Sequence, residues 1–218
     1  MKISIVGYGW LGESVAQLLI EQGHQVVAST TSVDKTKMME SAGVVPEVIE
    51  FPLPGCNNQN YALFQAQLLI IMIPPKLRAG KSDYPEKVEQ IIQLATAGDV
   101  RDIILISTSA VYAGLEGVVN EEDSIVETDE KVKLIAQAER LVLNFSAQSK
   151  VIRAAGLIDK QRHPGRFFIN GRILKQPQEP VNLVHKTDIS NIVALLSVAT
   201  TESKIFNVAS NTHVSKEI

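Results

Sequence analysis

The chain has 218 residues, 45% of them hydrophobic and 21% charged, with 21 Lys and Arg against 24 Asp and Glu for a formal charge of −3. That length can bury a real core in one large domain, or in one domain with a small lobe, and the charge balance offers neither the basic excess of a nucleic-acid partner nor a polybasic membrane surface. Cys56 is the only cysteine, which excludes an intrachain disulfide framework and a cysteine-rich zinc site and leaves it as loop filler, and no basic segment with a long apolar stretch opens the chain, so the expectation is a cytoplasmic protein with no signal peptide and no membrane partner.

Residues 3–6 are a short apolar run that predicts a buried strand, and Gly7, Gly9 and Gly12 follow at once in the spacing G-x-G-x-x-G. Strand, glycine turn and amphipathic helix in that order are a dinucleotide-binding signature. The first glycine serves the tight turn, the second the approach of backbone to a pyrophosphate, and the third the packing of helix on strand. The helix points unpaired N–H groups and its positive dipole end at the phosphates, which makes Trp10 and Leu11 cofactor contacts beside the glycines. The competing reading is a glycine-rich turn in an unrelated α/β protein. Val15, Leu18, Leu19 and Ile20 mark one helical face, Gly23 the stop, and residues 25–29 a second buried strand. These elements make one βαβ unit, the building block of a parallel α/β sheet.

The end of the second strand bears on the cofactor. An NAD site places an acid there for the ribose 2′-hydroxyl. This chain reads Ser29-Thr30-Thr31-Ser32, with no acid before Asp34 and with Lys35 and Lys37 just beyond. Hydroxyls of Thr30, Thr31 and Ser32 can donate to a 2′-phosphate that a carboxylate would repel. The expected cofactor is therefore NADP, with NAD as the alternative. The same three residues also suit a helix N-cap, and both roles can hold together.

Residues 33–42 predict a short helix ended by Gly43, and residues 44–49 an edge strand interrupted by Pro46. Residues 52–60 read as loop. Residues 68–73, LLIIMI, form the most apolar run, as befits a strand covered on both faces. Pro74-Pro75 ends it and places Ile73 and Pro74 at the carboxyl edge of the sheet, where ligands bind. Residues 84–97 predict a helix with Val88, Ile91, Ile92 and Ala95 inward. Residues 101–107 predict a central strand running into Ser107-Thr108-Ser109-Ala110-Val111-Tyr112, whose hydroxyls lie where a nicotinamide would. Residues 120–123 read as a solvated acidic loop. Residues 130–145 predict a strong helix with Val132, Ile135, Ala136, Leu141, Val142 and Phe145 apolar, and residues 151–153 a strand. A polar, basic stretch spans residues 161–171, with Arg172 next to it. Residues 182–184 predict a strand, Asp188 the cap of a helix through Ala199, and residues 205–208 a last strand.

Five stretches, VGYGWLG, ISTSAVYA, AQAERLV, VIRAAGL and NLVHKTDISNIV, occur in the order found in extended short-chain dehydrogenases/reductases. The chain resembles the NAD-dependent epimerase/dehydratase group of that family, most closely its atypical members, over essentially its full length. The resemblance implies an α/β Rossmann fold, a doubly wound parallel sheet with helices on both faces, and a small C-terminal substrate lobe. Residues 1–155 would be the dinucleotide-binding core, and residues 156–218 the lobe plus returning core elements in a single compact unit. It further implies that Thr108 is the family's active-site hydroxyl, that His185 has a structural or hydrogen-bonding role, and that a homodimer pairs the helices at 84–97 and 130–145. The alternative is that these helices only cover the sheet.

Two departures stand out. The family's Tyr-x-x-x-Lys pair, in which lysine lowers the tyrosine pKa for proton transfer, falls on Lys131 and Ile135. The chain also ends at Ile218, where the family begins another helix, so the lobe is expected to be small or incomplete. Replacement acid/base groups are Lys131 or Lys133 if desolvated, Tyr112 if it faces the nicotinamide, and His163 or His185. Against these stand a solvated helix face, a tyrosine lining the substrate pocket or packed beneath its loop, and an exposed loop histidine. The four histidines lack metal-ligand spacing, so no metal is expected. Arg153, Arg162, Arg166 and Arg172 are either phosphate contacts for an anionic substrate or ordinary basic surface. The leading expectation is an NADP-dependent oxidoreductase, epimerase or dehydratase acting on a small polar or nucleotide-linked substrate, with Thr108 and Tyr112 as catalytic candidates. The alternative is a non-catalytic NADP-binding redox sensor or scaffold. A structural protein that lost the cofactor is disfavoured by the intact glycine turn.

Overall fold

A computed structural model describes residues 1–54, 60–75, 83–164 and 177–215. The chain opens with β1 (Lys2–Val6), α1 (Trp10–Glu21) and β2 (Gln25–Thr30), then α2 (Thr36–Ser41), β3 (Val44–Val48) and β4 (Leu68–Ile71). It continues with α3 (Tyr84–Ala97), β5 (Asp102–Thr108), α4 (Glu130–Leu143), β6 (Lys150–Ala154) and β7 (Gly156–Ile158). The last elements are β8 (Pro180–Val181), β9 (Leu183–His185), α5 (Lys186–Val198), β10 (Ile205–Val208) and β11 (Val214–Ser215). Seven strands form one parallel sheet in the order β10-β6-β5-β4-β1-β2-β3. The order reverses between β1 and β4, the point where such sheets open a crevice for ligands.

Strand alternation divides the core between the two faces. Ile3 and Ile5 of β1, with Leu68 and Ile70 of β4, pack on Leu11, Val15 and Leu19 of α1 and on Ile189 and Val193 of α5. Val6, Leu69 and Ile71 point to the other face, against Val88 and Ile91 of α3 and Ala138 and Val142 of α4. The fold is thus the doubly wound Rossmann sheet with helices on both faces. Beyond β6, β7 pairs with β9 in parallel and β8 with β11 antiparallel, making two small accessory sheets.

Several boundaries differ from expectation for local reasons. β4 stops at Ile71 because its partner in register is Val6, the last residue of β1 before the chain turns away at Gly7. The helix expected at 33–42 is a single 3-10 turn, Val33–Lys35, followed by α2. α5 is capped by His185, whose ring nitrogen accepts the N–H of Thr187, so Asp188 lies inside the first turn and complements the helix dipole there. The acidic loop is more than a solvated connection: Glu121 Oε1 accepts the N–H of Asn207 at 2.6 Å, and so covers part of the open edge of β10.

Candidate functional site: the carboxyl edge of the sheet

The glycine turn is held by the end of β2. Gly7 N–H donates to Ser29 Oγ at 2.9 Å and Tyr8 N–H to the Ser29 carbonyl at 2.8 Å. Each glycine of the motif meets a different constraint. Gly7 has φ +106°, and a Cβ there would lie 3.2 Å from the Met72 carbonyl. A Cβ on Gly12 would stand 2.4 Å from the Gly7 carbonyl oxygen, so this glycine lets α1 sit on the turn. Gly9, the N-cap of α1, has φ −97° and nothing within 4 Å of its Cβ position. Neither packing nor backbone geometry requires glycine there. The first intrahelical bond runs from Glu13 N–H to the Gly9 carbonyl, which leaves the N–H groups of Trp10, Leu11 and Gly12 without a backbone partner among the described residues. A bare backbone at the start of a twelve-residue helix fits a phosphate-bearing ligand. Leu11 contributes only its backbone to this edge, its side chain being buried on β1.

At the end of β2 the three hydroxyl residues separate. Thr30 is buried, and its Oγ1 accepts the Ser32 N–H at 3.1 Å and donates to the Ser32 carbonyl at 3.4 Å. It closes a local bend and does not reach outward, which corrects its assignment as a direct phosphate donor. Thr31 is exposed and Ser32 half-buried, with Lys35 and Lys37 exposed beyond them. Ser32 precedes the 3-10 turn without a side-chain capping bond. Across the crevice, Ile73 is half-buried against the α3 and α4 side of the core, and Pro74 is exposed at the rim.

The end of β5 holds one outward and one inward hydroxyl. Thr108 is half-buried, and its Oγ1 accepts the N–H of Ala110 at 3.2 Å. Ser107 points the other way and donates to Glu139 Oε1 at 2.5 Å in the interior, which corrects its placement as a cofactor contact. Glu139 also binds Arg153 through both carboxylate oxygens, at 3.1 and 2.8 Å to Oε2 and 3.3 Å to Oε1, and each side chain is 3% exposed. Burial works against the Arg153 charge, but the Glu139 carboxylate and the Tyr112 hydroxyl raise its pKa above the ordinary value. Arg153 is therefore neither basic surface nor a free substrate arm. Its Nη1 donates to Tyr112 Oη at 2.6 Å, its guanidinium lies 4.8 Å from the Tyr112 ring centre, and Tyr112 Oη donates to Asn207 Oδ1 at 2.9 Å. Tyr112 is thus packed beneath its loop with its hydroxyl engaged on both sides, a scaffold position and not that of a free proton donor.

The positions that the resemblance gives to an acid/base pair, Lys131 and Ile135, lie on α4. Lys131 is exposed at the start of α4, and Lys133 is exposed beside Glu130 at 3.7 Å. Ile135 is buried with Val111, Tyr112, Val132 and Ala136. His185 serves as a cap, and His163 and Arg162 are exposed. Cys56, Arg166 and Arg172 lie outside the described residues. Among the described residues no three His, Cys, Asp or Glu side chains come together as a metal site, and no helix is long and apolar enough to cross a membrane. Among the described residues, one open cavity of about 470 Å³ lies between α3 and α4 near Phe145, and another of about 470 Å³ lies between α1 and α5, lined in part by Tyr8 and Trp10 of the turn.

Ser29, Glu139 and Asp159 have roles that residue patterns did not single out. Glu139 carried a readable signal: it shares the helical spacing of Val132, Ile135, Ala136 and Val142, so an acid stands on the buried face of α4. Asp159 accepts the Trp10 indole N–H at 2.9 Å across 149 residues of sequence, and nothing local marks it.

No family model matches the chain. Protein YeeZ of Escherichia coli (strain K12) is 30% identical over 222 residues, covering 100% of this chain and 80% of that protein. UDP-N-acetylglucosamine 4-epimerase from Bacillus cereus superposes with a TM-score of 0.76 at 18% identity, over 99% of this chain and 80% of that one. UDP-glucuronic acid 4-epimerase from Bacillus cereus, in complex with UDP-glucuronic acid and NAD, gives 0.75 at 14% identity over 99% and 79%. At these identities the likeness to the solved structures is one of fold, that of the NAD-dependent epimerases and dehydratases.

Proposed function

The chain belongs to the family of Escherichia coli protein YeeZ, and from that premise we propose that it binds a nicotinamide dinucleotide, NADP(H) in preference to NAD(H), along the carboxyl edge of β1, β2, β4 and β5. The observation that carries this is Gly9, a glycine that its own fold does not require, at the head of a helix whose first N–H groups are unspent. Thr31 and Ser32 with Lys35 and Lys37 offer hydroxyls and positive charge to a 2′-phosphate, and β2 ends without an acid. Bound there, the cofactor would supply or accept a hydride. Thr108 is the chain's own hydroxyl at that end. The Bacillus cereus epimerase that holds UDP-glucuronic acid with NAD supports an anionic, nucleotide-linked substrate here.

A second reading, a non-catalytic NADP-binding sensor or scaffold, is favoured by α4, where Ile135 fills the lysine position with buried apolar surface and Lys131 faces solvent. Titration of NADPH and NADH, followed through fluorescence of the single tryptophan, Trp10, tests the binding claim. NADPH should bind at least about tenfold more tightly, a difference near 1.4 kcal/mol. Equal affinities remove the NADP preference, and no binding of either removes the dinucleotide reading. Hydride exchange with a panel of UDP-sugars and aldehydes then separates an enzyme from a sensor.

A further inference from the structure

Trp10 is the first residue of α1 and faces two ways. Its backbone N–H is one of those that the helix leaves for a ligand. Its side chain runs to the loop after β7, where the indole N–H donates to Asp159 Oδ2 at 2.9 Å. Asp159 Oδ1 accepts the N–H groups of Gln161 at 2.8 Å and Arg162 at 2.6 Å, and Oδ2 lies 3.4 Å from Lys186 Nζ at the start of α5. The cations also close on the ring itself: Lys186 Nζ lies 4.9 Å and the Arg162 guanidinium 5.4 Å from its centre. The carboxylate is only 9% exposed, and both of its oxygens are committed. Two distant segments, the loop after β7 and the start of α5, therefore meet on the side chain of one residue whose main chain belongs to the glycine turn.

We infer that Asp159 is a positioning residue for the dinucleotide: by holding the Trp10 indole it orients the N–H groups at the head of α1, and it couples ligand binding to the order of the segment 156–163. This rests on the dinucleotide reading above. A ligand that gains from the oriented turn must stabilise the clasp in return, because coupling between two sites is reciprocal. Lys186 and Arg162 offset the Asp159 charge beside an anionic ligand, so the clasp adds no net repulsion there.

The test uses the full chain. Trp10→Phe keeps an aromatic ring beside the cations but removes the indole donor, and its NADPH binding is read by the cofactor's own fluorescence; Asp159→Asn removes the charge and one of two acceptor oxygens. Each should weaken NADPH binding about fivefold, and the double variant should be no weaker than about fivefold, since both remove one interaction. Because the chain has one tryptophan, its single indole N–H resonance reports the clasp directly. It should shift on addition of NADPH in the wild type and respond less in Asp159→Asn. Amide exchange across 156–163 should slow with NADPH in the wild type alone. Variants that melt earlier yet bind NADPH as the wild type does, or losses that add in the double variant, overturn the proposal and leave a merely structural contact. A wild type that binds neither NADPH nor NADH overturns the dinucleotide reading itself, and this proposal with it.

Discussion

Gly9 and Gly12 obey different masters, and substitution tells them apart. An alanine at 12 drives its Cβ into the Gly7 carbonyl at 2.4 Å, so Gly12→Ala should cost about 3 kcal/mol in thermal or denaturant unfolding. An alanine at 9 meets nothing, so Gly9→Ala should cost no more than about 1 kcal/mol of capping while NADPH titration shows binding weakened more than about tenfold. Tyr84 supplies a second residue-scale prediction. It is fully buried, and its hydroxyl has no partner among the described residues. Burial, and then the Glu139 charge, push its pKa above the ordinary tyrosine value. A raised pKa means full stability below about pH 10, the unfolded value, and loss as pH rises beyond it. Tyr84→Phe should therefore raise stability by up to about 1 kcal/mol, and melts between neutral and alkaline pH should show a shallower decline than in the wild type.

α4 is amphipathic with one exception, and that exception ties three strands together. Glu139 on its buried face receives Ser107 from β5 and Arg153 from β6, and Arg153 passes the connection through Tyr112 to Asn207 on β10. Glu139→Ala leaves a buried guanidinium unpaired and should cost about 3–5 kcal/mol. Replacing both partners with apolar residues of like volume, Glu139→Leu with Arg153→Met, should recover most of that loss in equilibrium unfolding. The same helix also carries a purely apolar stretch. Ile135 completes an apolar cluster with Val111, Tyr112 and Val132, and a lysine there would face the cost of burying its charge.

At the scale of the whole molecule, the C-terminal elements reach back to the first turn through Trp10, Asp159 and Lys186. Burial works against the Asp159 charge, but the Arg162 N–H, the Trp10 indole, Lys186 and the Gln161 N–H together hold its carboxyl below the ordinary aspartate value. A depressed pKa gives a contribution present above about pH 4, the unfolded value, and lost as pH falls through the lower folded one. The Trp10 indole resonance should stay in its clasped position through pH 4 and move below it, whereas Asp159→Asn should show no such transition. Much of the architecture was legible in the residues. Continuous apolar runs at β1, β4 and β5 and three glycines act within a few neighbours, so the amino-acid sequence alone determined the parallel sheet, the turn at its carboxyl edge and the place of Thr108. Helix ends were legible to within a few residues, and the miss at α5 arose because His185 can cap through its ring as Asp188 can through its carboxylate. What only the tertiary structure decided depends on partners far apart in the chain. Arg153 became half of a buried ion pair, Tyr112 and Ser107 turned inward to it, Thr30 closed on Ser32, and Trp10 found Asp159 across 149 residues. Hydrophobic periodicity states which side chains leave water, but a polar group's partner is chosen by whichever donor or acceptor the fold brings within about 3 Å, and that choice exists only once the sheet and its helices are in place.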